Sequence, residues 1–144
     1  MTDDDKFIAE FEAGRWPLDQ WHHQQHIKIA YLYLCRYPFD IAMNRIREHI
    51  KAHNAAHSIP NLPTSGYHET MTQAWMSLVH LTLCEYGPAA TADSFYEQNP
   101  QLSQKKTLRL FYSRDVFMSP RAKIEFLEPD LAPLPRSPKK ATSS

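Results

Sequence analysis

His22-His23-Gln24-Gln25-His26 runs straight into Ile27-Lys28-Ile29-Ala30-Tyr31-Leu32-Tyr33-Leu34-Cys35-Arg36. At about 100° per residue, His23, Ile27, Ala30 and Leu34 fall on one stripe, with His26 at its edge. The stretch therefore reads as a core-facing helix over about residues 19–36, with histidine in its first turn where core residues should begin. Asp19 is the expected N-cap. Pro38 ends the segment, because a proline restricts the residue before it. His22 points about 100° away from His23 and reads as solvated.

A second opening of the same kind lies further on. Gly66-Tyr67-His68-Glu69-Thr70-Met71-Thr72 leads into the most apolar segment of the chain, expected to be helical over about residues 67–86. Met71, Trp75, Leu78, Val79 and Thr82 share one side, and His68 lies near that side one turn earlier. Leu81, Leu83 and Ala74 cover much of the rest, as in a central helix. Gly87-Pro88 stops it.

Two more helices complete a bundle. Residues of about 3–15 carry Phe7, Ile8 and Phe11 at helical spacing, with Asp3 to Asp5 at the dipole-favoured end and Gly14 and Pro17 as stops. Residues of about 39–57 carry Ala42, Ile46 and Ile50, and the ladder His49, His53 and His57 continues that face. The ladder reads as a boundary feature, with His53 and His57 as a weaker ligand pair. Pro60, Pro63, Asn61, Ser65 and Gly66 form a breaker cluster before the fourth helix. Shorter helices follow over about 91–98 and 101–112, broken at Asn99-Pro100, and from Ser119-Pro120 to about Phe126. The fold class expected is all-α: four main helices in a bundle, with shorter C-terminal helices packed around it. A single helical domain spans 1–128. A Pro-rich tail, 129–144, is expected to be extended or disordered.

Composition narrows the function. Lys plus Arg equals Asp plus Glu at 16 each, so no charge excess argues for nucleic acid or an anionic membrane. Only 3 Gly occur, against a turn-rich β protein, while 8 His stand out. Cys35 and Cys84 sit among apolar residues and read as buried free thiols. The start Met1-Thr2-Asp3-Asp4-Asp5 lacks the basic and apolar runs of a secretory signal. The longest apolar run, Ile29 to Cys35, falls far short of the roughly 20 residues of a spanning helix. A cytoplasmic protein is the expectation.

The chemistry concentrates in the two openings. His23 and His26, three apart on a helix, can reach one point. His68, from the start of another helix, would complete a three-nitrogen site for zinc or iron with positions open to water or substrate. The two openings meet if their helices run parallel, as alternate members of an up-down bundle do. Glu69 serves equally well as a capping carboxylate behind a Gly66 N-cap or as a general base or fourth ligand. Tyr67, Thr72 and Trp75 are placed to contact a ligand. No HExxH helix, CxxC pair, GxSxG elbow or phosphate-cradling glycine loop occurs. Arg109, Arg114, Arg121 and Lys123 are scattered cations, able to bind an anion but read as solvated surface.

The run Trp21-His22-His23-Gln24-Gln25-His26-Ile27, the phrase Gly66 to Thr72 with Trp75, and the late Phe111-Tyr112-Ser113, Ser119, Arg121-Ala122, Phe126 and Pro129-Asp130 resemble an uncharacterised bacterial family of small all-helical proteins. The resemblance extends to about residue 130. The family's His-x-x-His falls on His23 and His26, and its Tyr-His-Glu-Thr on Tyr67 to Thr70. His53 stands where that family has an aromatic or aliphatic residue, which weakens it as a ligand. The resemblance brings no reaction with it. A more distant likeness of architecture is to DinB-type metal-binding bundles, which gather three His from separate helices. The leading expectation is a small metal-dependent enzyme acting on a small molecule, with a divalent transition metal on His23, His26 and His68. The alternative is a metal-free ligand-binding or structural helical protein. No nucleic acid or membrane is expected as partner, and the number of subunits is left open.

Overall fold

The computed structural model describes residues 2–62 and 65–134. These residues form helices and turns, with no β-strand among them. Helix α1 is Asp3–Glu12, opened by a capping box in which Thr2 and Asp5 exchange side-chain and backbone bonds. It stops short of the expected end because Gly14 takes a left-handed turn at φ +73. A 3-10 turn follows at Leu18–Gln20. Helix α2 is His23–Arg36. Its N-cap position is His22 rather than Asp19, since Asp19 is taken into the 3-10 turn, and Gln25 reaches back to the His22 N–H at 2.9 Å.

Tyr37, before Pro38, is extended and ends α2; Pro38 then leads into α3, Phe39–Ala56. The chain crosses to α4, Glu69–Tyr86, through Gly66 at φ +92, where a Cβ would meet Asn61 at 2.9 Å. After Gly87 come α5 (Ala92–Gln98), 3-10 stretches at Pro100–Ser103 and Lys105–Leu110, α6 (Arg114–Phe117) and α7 (Pro120–Ile124). Ser119 caps α7 ahead of Pro120, as its sequence predicts.

Side-chain pairs fix the directions of the four main helices. His23 meets Trp75, and further along Tyr31 bonds Ala89 past the end of α4, so α2 and α4 run the same way. Trp21 meets His53 while Tyr33 meets His49, so α3 runs back against α2. Glu12 at the end of α1 bonds Tyr33 and Asp5 near its start pairs with Arg36, which makes α1 antiparallel to α2. The result is the expected alternation of an up-down bundle. Its centre holds Phe11, Ile27, Ile29, Tyr33, Ile46 and Met76, each almost fully buried.

The segment after Gly87 is part of this core. Phe95 stacks on Tyr31 at 4.1 Å, and Leu102 and Leu108 are buried. The expected tail departs from its boundary: residues 129–134 are held, with the Leu131 N–H on Phe111 O at 2.9 Å and the Ser113 N–H on Asp130 at 2.8 Å. The remainder of that tail, 135–144, lies outside the described residues. Cys35 and Cys84 are free thiols but exposed, on the outer sides of α2 and α4, rather than buried. No helix is long and apolar enough to cross a membrane among the described residues.

Candidate functional site

Parallel α2 and α4 bring their first turns to one cavity of about 1070 Å³, which α3, the Lys105–Leu110 turn and α6 close on other sides. Ligand pockets in proteins commonly run to about 300–1,000 Å³, so this space suits a whole small molecule. Its inner wall includes Ile29, Ala30, Ile46, Ile50, Met76 and Leu108. His23, His26 and His68 all line it, as do Tyr67, Thr72 and Trp75. Glu69 does not.

The three imidazoles share the cavity without sharing a point. His68 is the N-cap of α4: its Nδ1 accepts the Met71 N–H at 2.9 Å, and its Nε2–H donates to Phe117 O at 3.2 Å. Both ring nitrogens are engaged, and the ring stacks on Phe117. Burial lowers its pKa, with the Phe117 carbonyl opposing and Lys123 assisting. His23 instead meets Trp75, two turns beyond His68 on α4. That is about 10 Å along the helix axis at 1.5 Å per residue.

His23 donates from Nε2 to Leu102 O at 2.7 Å, which leaves Nδ1 as the nitrogen bearing a lone pair. Burial lowers its pKa too. His26 differs from both, its ring making no hydrogen bond to protein among the described residues. It is packed round by protein yet opens on the cavity, with Trp21 against its ring at 4.6 Å. Burial, then the neighbouring His23 and His53 rings and the Lys105 ammonium, hold its pKa down at about 4. At neutral pH it is an uncharged imidazole with both nitrogens available.

A metal on His23, His26 and His68 therefore does not fit the side chains as they stand. Ligation by His68 would break its cap or its bond to Phe117. Among the described residues, no group of three or more His, Cys, Asp or Glu is arranged to hold a metal ion.

Glu69 is likewise occupied. It is the first residue of α4 rather than the third, because His68 and not Gly66 is the cap. Its carboxylate takes two bonds from Arg47, at 2.8 and 2.6 Å, and one from the Tyr67 hydroxyl at 2.7 Å. Burial pushes its pKa up, but the bonds from Arg47 and Tyr67 outweigh that and leave it below the ordinary carboxylate value. The general-base and fourth-ligand roles expected of Glu69 lack both a free oxygen and a place on the cavity. Thr72 bonds His68 O at 2.8 Å within the cap. Trp75 lies edge-on to His23 in the wall.

Of the His49, His53 and His57 ladder, His49 and His53 pack on Phe11 of α1, His53 also meets Trp21, and His57 packs on His53. His53 is fully buried, donating from Nε2 to Trp16 O at 2.9 Å, while its Nδ1 and the Nε2 of His57 are buried without a partner among the described residues.

Exposed cations complete the site: Lys105 and Lys106, which the sequence pattern does not single out, line the cavity with Arg109 and Arg114, which in sequence read as solvated surface able to bind an anion; among the described residues no Asp or Glu lines it. Arg121 and Lys123 are used elsewhere, on Glu125 and on Asn61 and the Tyr67 carbonyl. A signal was present: Asn99 to Arg114 contains those cations and no carboxylate.

Compared with protein-family models, curated proteins and solved structures, the chain returns no match. The class defined by geometry is an all-α bundle with a largely apolar cavity that, among the described residues, is edged by cationic side chains and by no carboxylate.

Proposed function

We propose that this protein binds a small, largely apolar organic molecule in the cavity between α2, α3 and α4, without a metal. One observation carries the reading: a single space of about 1070 Å³ combines an aliphatic wall with a few polar groups that have no protein partner, His26 foremost. That combination suits ligand recognition, in which apolar area supplies affinity and a few polar atoms fix orientation. The metal-dependent enzyme expected from the histidine spacing has less support, since His68 is committed to capping and Glu69 to Arg47.

Native mass spectrometry and elemental analysis of the freshly purified protein test this directly. A stoichiometric organic adduct, or saturable quenching of Trp21 and Trp75 by apolar probes, without a bound transition metal, is the expected result. Stoichiometric zinc or iron that survives dialysis and disappears from a His23/His26 double variant would restore the metal-dependent reading and overturn this one.

A further inference from the structure

The cavity has two different ends. Near the start of α4, His68 is satisfied, with Phe117 and Met118 beside it at the wall. Near the start of α2, three polar groups come together without satisfying one another. His23 offers Nδ1, His26 offers both nitrogens, and Lys105 acts on both rings through its charge. Lys105 makes no ion pair among the described residues. It opens the Lys105–Leu110 stretch, which directly follows the Pro100–Ser103 stretch whose Leu102 carbonyl holds His23.

We infer that the His23–His26–Lys105 corner is the headgroup end of the cavity, and that it takes a carboxylate whose arrival is accompanied by proton uptake at His26. This rests on the ligand-binding reading above and narrows the ligand to an apolar acid. The aliphatic wall takes the body of the molecule, and the ammonium and imidazoles take its anionic end.

The proton follows from charge. The charged and titratable groups acting on His26 are positive or protonatable: His23 on its own helix, His53 from α3 and Lys105 from the 3-10 turn. The acids of the neighbouring helices are turned to other partners, Glu69 of α4 to Arg47 and Glu12 of α1 to Tyr33. Among the described residues no carboxylate lines the space to offset them. A bound carboxylate supplies the missing negative charge at short range, which favours the imidazolium. The proton comes from solvent and sits between the His26 ring and the ligand oxygen. Lys105 provides the permanent charge, and the first turn of α2 lines the same corner with its positive end.

Decanoate and its neutral counterpart decanol separate the possibilities. Binding is followed by tryptophan quenching from pH 6 to 8, and by calorimetry in two buffers of different ionisation heat. For decanoate, uptake approaching one proton is expected, with affinity rising by up to about tenfold per pH unit on acidification. Decanol should bind more weakly and independently of pH. His26→Phe should abolish the proton uptake, and Lys105→Met should weaken decanoate about tenfold, with helicity by circular dichroism confirming that each variant folds. Equal binding of decanoate and decanol, or proton uptake that persists in His26→Phe, overturns the inference while leaving the ligand-binding reading intact. Binding of neither probe overturns both.

Discussion

Arg47 holds Glu69 at two points, Nε 2.8 Å from Oε1 and Nη2 2.6 Å from Oε2. The pair ties the middle of α3 to the first residue of α4, and the Tyr67 hydroxyl adds a third bond to Oε1. Removing one member of a buried pair leaves the other charge unsatisfied, at a cost of about 3–5 kcal/mol when burial is complete. Arg47 keeps 28% of its side-chain surface and Glu69 11%, so Glu69→Ala should lower stability by less, about 2–3 kcal/mol. Because the folded-state pKa of Glu69 lies below its ordinary value, its contribution is present above the usual carboxylate range and is lost as pH falls through the folded value. Denaturant titrations at neutral and acid pH check both points. Affinity for a cavity ligand should change less than twofold, since Glu69 is not on the wall.

His68 has a structural duty that an asparagine can share. As N-cap of α4 its Nδ1 takes the Met71 N–H. His68→Ala should lower stability by about 1–2 kcal/mol, the loss of a cap plus the bond to Phe117. Asparagine is among the best N-caps, so His68→Asn should recover most of the capping share. Thermal unfolding of the two variants checks this ordering. Equal destabilisation would show that the ring's stacking on Phe117 matters more than the cap.

The helices were legible in the sequence because their apolar stripes are long and their stops are chemical: Pro38, Gly87 and Ser119-Pro120 all fall where the chain turns. Periodicity also put the first turns of α2 and α4 on one space, which the cavity bears out. What periodicity cannot provide is the partner of a polar atom. His68 and Glu69 look like site residues in a one-dimensional pattern, yet each is consumed locally. The phrase Tyr67 to Thr72 is largely a staple: Tyr67 and Glu69 tie to Arg47, His68 and Thr72 build the cap, and buried Thr70 takes the Leu127 N–H and donates to Glu125 O. Conversely, Arg109 and Arg114 are exposed, as their scatter in the sequence suggests, yet with Lys105 and Lys106 they edge the cavity, because its other walls lie on α2 and α4, far off in sequence.

The buried histidines make an acid-sensitive fold. Burial lowers the pKa of His53, and holds that of His26 at about 4 against an ordinary value near 6.5. Below pH 6.5 the unfolded chain takes up protons at these positions before the folded one does. Stability is therefore fully present above pH 6.5 and declines as pH falls toward 4. His26 alone should account for about 3 kcal/mol of that loss, at roughly 1.4 kcal/mol per unit. Urea unfolding between pH 7.5 and 4 should show the decline, and His26→Phe should flatten it. A profile unchanged in that variant would place the acid sensitivity at His53 or at carboxylates.

Asp130 ties the last described segment to the edge of the cavity. Its carboxylate accepts the Ser113 N–H at 2.8 Å, and Leu131, whose own N–H reaches Phe111 O, lines the cavity wall. The Ser113 hydroxyl, and then its backbone N–H, draw the Asp130 pKa below its ordinary value, although the carboxyl is at the surface. An exposed anchor of this kind has little effect on global stability but decides how often the segment lifts. Asp130→Ala should leave the unfolding midpoint nearly unchanged and speed amide exchange at Ser113 and Leu131 by about tenfold or more. It should also accelerate dissociation of a cavity-bound probe, because Leu131 would no longer be pinned against the wall. Hydrogen exchange by mass spectrometry, with stopped-flow tryptophan fluorescence, measures both effects. Faster exchange with unaltered dissociation would mean that ligands leave by another face, past Lys106 and Arg109.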